Sequence, residues 1–187
     1  MTGTVSTIDG RETAPAAATP ERFLDAAGSP MAFRDAVAGG LSVGVPGNVR
    51  LMELAHQKWG RLKWERLFKP AIKLAEDGFT ISPMLFERLQ NMKVVLRDFP
   101  AIRTHYYDAN GEPMPIGTRI ENPELARLLK RIAKYGATGF YQGWPARGIA
   151  SAVANAPRNR ASLTEADLVA YHAAERPAVC GRYRGYR

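Results

Sequence analysis

The sequence predicts an α+β fold, a layer of helices bounded by short extended segments near both ends. Four long stretches carry apolar residues at helical spacing, and most of them open or close on residues that cap helices. Thr4 to Ile8 and Val179 to Tyr186 read as extended. The 187 residues are 45% hydrophobic, which suits one medium domain, or a lobe of a larger one, with a packed core.

The first extended run leads into Asp9-Gly10-Arg11-Glu12-Thr13-Ala14-Pro15. Gly10 allows a sharp turn there, and Pro15 and Pro20 stiffen the exit. Pro20 to Leu24 suggests a short helix with proline near its start. Residues 25–47, rich in Ala, Gly, Ser and Pro, read as loop with room for one short helix. Asn48 is the expected N-cap of a helix whose face is Leu51, Leu54, Ala55 and Trp59. Trp64 to Asp77 is a second amphipathic helix, closed by Gly78. Ser82-Pro83 opens a third, with a stripe of Leu85, Phe86, Leu89, Met92 and Leu96 that stops before Pro100. Asp108 to Arg119 is a turn-rich crossing. Asn122-Pro123 begins a fourth helix that stops near Gly136. Phe140-Tyr141 marks a short turn, Pro145 to Ala154 a fifth helix, and Thr164 to Asp167 the cap of a short sixth.

Composition excludes several chemistries. Cys180 is the single cysteine, so neither an intrachain disulfide nor a cysteine-rich metal site can form. His56, His105 and His172 lack a second histidine at i+3 or i+4, so zinc spacing is absent; His56 and His172 are expected in helices and His105 near a turn. No run approaches a transmembrane helix, and the N-terminus has no basic-then-apolar signal pattern. The net charge of +8 permits an anionic partner. Lys and Arg nevertheless recur singly along helices, the pattern of a solvated face, and only Arg182 to Arg187 is dense. Glu76-Asp77 suits a solvated last turn and Glu165/Asp167 a helix N-terminus. No phosphate loop or dinucleotide fingerprint is present, and no nucleophile can be named within the chain.

Arg11 stands apart. It leaves a strand end on stiff backbone, a good way to aim a guanidinium fork at both oxygens of a carboxylate. Taken alone, the local pattern better suits a solvated arginine or a structural ion pair, as most loop arginines are.

The wider text resembles one family. Asp9 to Asp25 is similar to part of the large subunit of the γ-glutamyltransferases, or glutathione hydrolases. Three further blocks agree in order: Val43-Gly44-Val45-Pro46-Gly47 before Leu51 to His56; Trp59-Gly60-Arg61-Leu62 before Leu67 to Phe79; and Leu163 to Tyr171 running on to Glu175-Arg176-Pro177 and Tyr183 to Tyr186. The resemblance covers nearly the whole chain.

That resemblance implies an N-terminal-nucleophile hydrolase of the αββα sandwich type. It implies a precursor that cuts itself, so that a threonine at the start of the small subunit becomes the nucleophile. On this reading residues 1–187 form part of a large subunit, without the family's first helix, its glycine-rich strand or the small subunit. The chain is expected to hold no catalytic residue and to be inactive alone. The resemblance implies that Arg11 binds the α-carboxylate of a γ-glutamyl substrate such as glutathione, with Glu12 orienting it. It implies no metal or organic cofactor, no nucleic acid and no membrane as partners, and a periplasmic or secreted parent. Copies of the chain are expected to associate through strands cut from their sheet. Two alternatives stand beside it: a related acylase of the same fold, of cephalosporin or poly-γ-glutamate type, and a non-catalytic helical module that binds an anionic partner.

Overall fold

The structure, a computed structural model, describes residues 5–185; Thr4 and Tyr186, named above as strand residues, lie outside them. Along the chain run β1 (Thr7–Asp9), α1 (Phe33–Val37), a 3-10 turn (Gly40–Ser42), α2 (Asn48–Trp59), α3 (Trp64–Asp77), β2 (Phe79–Thr80), α4 (Pro83–Leu96) and α5 (Pro100–Tyr106). Then come β3 (Arg119–Ile120), α6 (Pro123–Tyr135), α7 (Thr138–Tyr141), α8 (Trp144–Ala154), α9 (Glu165–Ala170) and β4 (Ala174–Arg176). The arrangement is α+β, with helices dominant.

Side-chain caps set several helix starts. The Ser82 hydroxyl accepts the Leu85 N–H at 3.2 Å, and the Asn122 carbonyl oxygen accepts the Leu125 N–H at 2.9 Å. Thr164 and Asp167 form a reciprocal capping box. Gly78 and Gly136 end α3 and α6 with φ of 81° and 64°, backbone that a side chain would strain.

Five expectations are corrected. Asn48 is not the N-cap of α2. Gly47 takes that place, pressed so closely on the Gly10 carbonyl and the Tyr171 hydroxyl that a Cβ would meet them at 2.2 and 2.1 Å. Pro20 to Leu24 forms turns, not a helix. Asp25 Oδ1 accepts the N–H groups of Ala27 and Ser29, both at 2.9 Å, and this local bonding folds Leu24 back onto Pro30. The third helix does stop before Pro100, at Leu96, but Pro100 opens a further helix, α5, where none was expected, and so His105 is helical. His172 lies beyond α9, in a stretch without helix. The C-terminal strand is Ala174–Arg176; past it, Pro177 to Arg182 has no regular structure, and the chain turns at Arg184 and Gly185, with φ of 48° and 83°.

The pairing explains that last shift. β1 and β4 form an antiparallel ladder with Thr7 opposite Arg176, Ile8 opposite Glu175 and Asp9 opposite Ala174. Each strand therefore finds one neighbour inside the chain and keeps its outer edge. A second ladder joins β2 to β3.

Two apolar cores lie beneath the helices. One gathers Val45, Ala137, Tyr141, Ala146, Val153, Leu163, Leu168 and Tyr171. The other gathers Ile81, Leu89, Tyr107 and Ile120. Helices α3 and α6 pack along each other, tied by the Trp64 indole N–H, which donates to the Ile132 carbonyl at 2.9 Å, and by a Lys130–Glu76 ion pair. The first core is the one that carries Arg11.

Candidate functional site

Residues 9–16 cross the first core as a loop whose backbone is held at successive points. At its start, Asp9 accepts the Arg11 N–H on Oδ1 at 2.9 Å and the Arg176 Nε–H on Oδ2 at 2.6 Å. The backbone N–H of Arg11, then the side-chain Nε–H of Arg176, hold the Asp9 carboxyl below its usual range. Gly10 lies flat on α2, where a Cβ would stand 2.4 Å from that of Leu51. The Arg11 carbonyl accepts the Tyr171 hydroxyl at 2.7 Å. Thr13 and Val45 exchange backbone bonds of 2.8 and 3.3 Å. The Ala16 N–H donates to Asp167 Oδ1 at 2.8 Å.

Beneath the loop, Tyr171 stacks on Tyr141 with ring centres 6.1 Å apart and planes within 6°. Tyr141 donates its hydroxyl to the Pro46 carbonyl at 2.7 Å, and the Arg50 guanidinium lies 4.8 Å over its ring. Burial pushes the Tyr141 hydroxyl up to about 12, so it stays a neutral donor.

The two residues singled out in the sequence stand together on this platform. The Arg11 side chain is 80% exposed, and its one ion pair among the described residues is to Glu12, with Nε 3.3 Å from Oε1. The Glu12 stem runs against Gly44, where a Cβ would come within 2.8 Å of Cγ. A fixed backbone carrying an open guanidinium can take both oxygens of a carboxylate. Beside Glu12 opens a cavity of about 270 Å³, lined also by Thr13, Arg22, Phe23, Ser42 and Gly44. A larger hollow of about 570 Å³, between Arg97, Arg103, Thr104 and Asn110, shares no lining residue with the loop.

Sequence reasoning missed the residues that hold Arg11. Tyr171, Val45, Gly47 and Asp167 all fall in the blocks that carry the resemblance, but without a role. Only Asp167 had a local signal, as a helix-capping acid. Two of the three histidines serve local structure: His56 Nε2 lies 2.8 Å from the Leu62 carbonyl oxygen and the ring sits edge-on to Trp64, while His105 Nδ1 lies 2.8 Å from that of Ala101.

Asp167 allows a test of the platform by pH. The Ala16 N–H, then the Thr164 N–H, hold its carboxyl below the ordinary 3.8. A depressed folded value means stability that is present above the unfolded value and is lost as pH falls through the folded one. Asp167→Asn should therefore cost about 0.5–2 kcal/mol near neutrality and flatten the loss of stability below about pH 4. Thermal melts of both proteins between pH 3 and 7 check this; identical acid limbs would contradict it.

Comparison with known proteins gives the same answer along the whole chain. The family model for gamma-glutamyltranspeptidase matches residues 1–187. A glutathione hydrolase proenzyme of Bacillus subtilis is 37% identical over 180 residues, 96% of this chain and 30% of the relative. One from Escherichia coli is 36% identical over 186 residues, 99% of this chain and 31% of the relative. The crystal structure of Helicobacter pylori gamma-glutamyltranspeptidase superposes with a TM-score of 0.88 at 34% identity, covering 97% of this chain and 51% of that one. The chain thus spans about three-tenths of the length of these curated relatives. A match that takes in every residue, with the same fold beneath it, places the chain in the gamma-glutamyltranspeptidase family.

Proposed function

We propose that this chain supplies the carboxylate-binding arm of a glutathione hydrolase or γ-glutamyltransferase. The observation that carries the reading is Arg11: backbone clamped by Asp9, Tyr171 and Val45 around it, guanidinium open, in the motif shared with the family. A γ-glutamyl group presents an α-carboxylate several bonds from the amide that reacts. A bidentate arginine binds that end in a fixed orientation, which places the γ-carbonyl for attack. Glu12 lies where it can restrict the guanidinium to one direction.

The reaction needs a nucleophile from the precursor's small subunit, an N-terminal threonine. Its hydroxyl oxygen adds to the γ-carbonyl, the carbon–nitrogen bond breaks, and the amine leaves with a proton. Water or an acceptor amine then displaces the threonine from the acyl-enzyme. Residues 1–187 would be part of the large subunit. The reading requires no cofactor, and it carries a periplasmic or secreted parent with it. Among the described residues no helix is long and apolar enough to cross a membrane.

The experiment compares two proteins on γ-glutamyl-4-nitroanilide. The 187-residue chain alone should release no nitroaniline. The precursor that joins it to a small subunit should cleave itself and turn the anilide over. Turnover by the chain alone, or a processed but inert precursor, would refute the reading. We also propose that the isolated chain self-associates through the outer edges of β1 and β4. Light scattering of a clean monomer at high concentration would contradict that.

A further inference from the structure

We infer that Tyr171 is a positioning residue for the α-carboxylate of the substrate, acting through the peptide bond that follows Arg11. The inference rests on the reading of Arg11 given above. Tyr171 follows α9, 160 residues along the chain from Arg11, yet its hydroxyl donates to the Arg11 carbonyl at 2.7 Å. That bond fixes the plane of the peptide joining Arg11 to Glu12. The plane sets the angle at which the Arg11 side chain leaves the backbone, and also where Glu12 starts.

The tyrosine itself has little freedom. It is 6% exposed and lies flat on Tyr141. Gly47 passes so close that a Cβ there would reach the hydroxyl at 2.1 Å and the ring carbon bearing it at 2.4 Å. The ring is thus held by packing, and the hydroxyl adds the single bond that reports to the arginine. Without it the ring stays stacked, but the Arg11 peptide can rock, and the guanidinium spreads over several directions. A carboxylate must then order the arginine as it binds, which weakens binding.

The test uses the processed enzyme and separates this inference from the function itself. Tyr171→Phe should raise KM for γ-glutamyl-4-nitroanilide roughly three- to tenfold, the range of one lost neutral hydrogen bond. Its kcat should stay within about twofold. The inhibition constant of 4-aminobutyryl-4-nitroanilide, which lacks the α-carboxylate, should not move. Tyr107→Phe is the matched control. It removes a buried hydroxyl that donates to the Leu89 carbonyl at 2.8 Å in the second core, and it should leave KM alone. In an Arg11→Ala background the effect of Tyr171→Phe should vanish.

Wild-type KM in Arg11→Ala would overturn the function proposed for Arg11. A raised KM in Arg11→Ala with a normal one in Tyr171→Phe would overturn this inference alone. So would an equal rise for the analogue lacking the carboxylate, a like effect from Tyr107→Phe, or a Tyr171→Phe precursor that fails to process itself.

Discussion

In the processed enzyme, Arg11→Lys should lower catalytic efficiency on γ-glutamyl substrates by roughly thirtyfold to several thousandfold. Lysine keeps the charge but loses the fork, so one carboxylate oxygen is left without its partner. A lost charge-assisted pair of hydrogen bonds to a bound carboxylate is worth on the order of 2–5 kcal/mol, much of it from groups left unpaired. At about 1.36 kcal/mol per factor of ten, that gives the range stated. The α-carboxylate is present in ground and transition states alike, so KM should rise at least as much as kcat falls. The fold should not notice the change. The Arg11 side chain is 80% exposed, and its pair with Glu12 is an exposed one, of the kind that contributes little. Steady-state kinetics beside a thermal melt decide the matter. Wild-type KM would make Arg11 a surface arginine; a large loss of stability would make it a structural one.

The parts of this fold that could be read from the sequence are those whose physics is local. Ser82-Pro83, Asn122-Pro123 and Thr164 with Asp167 each bond to an N–H within three residues, so the motif and the cap are the same object. The same holds for Gly78 and Gly136, which end helices in backbone that favours glycine. Local reading failed where a distant partner decides. Asn48 looks like an N-cap, but Gly10 and Tyr171 crowd position 47 and set the helix start there. Ala174–Arg176 has no strong strand composition. It is extended because β1, some 165 residues earlier, offers it a ladder and Asp9 takes Arg176.

The candidate site divides in the same way. Arg11 and Glu12 are proposed from the resemblance, and for Arg11 the stiff, proline-bounded exit of the loop was legible as well. Asp9 is a local support, two residues from Arg11; the other supports were not legible, because each is a long-range contact. Val45 holds the loop through its backbone while its side chain fills the core, and Tyr171 ends a short helix with no local reason to be a tyrosine. A tyrosine whose hydroxyl crosses the fold to one carbonyl leaves no trace in periodicity or spacing.

Tyr141→Ala should be the most damaging single truncation in the first core, and its failure should propagate to the Arg11 loop. Tyr141 is fully buried. Removing its ring leaves a cavity under Tyr171, takes the hydroxyl from the Pro46 carbonyl at 2.7 Å, and strips Arg50 of the ring beneath it. Truncating a buried aromatic costs about 3–5 kcal/mol, against a total stability of about 5–15 kcal/mol for a domain. Tyr141→Phe keeps the ring and should cost only about 1 kcal/mol. The two variants separate packing from hydrogen bonding. If the platform rests on the stacked rings, Tyr141→Ala frees Tyr171, loosens Gly47 and Pro46, and exposes residues 9–16 to proteases, whereas Tyr141→Phe stays resistant. Thermal scans and limited proteolysis of the two variants read this directly. Equal melting temperatures for Tyr141→Ala and wild type would show that the Arg11 loop is held by its own hydrogen bonds to Asp9 and Val45, and that the tyrosine pair beneath it is dispensable.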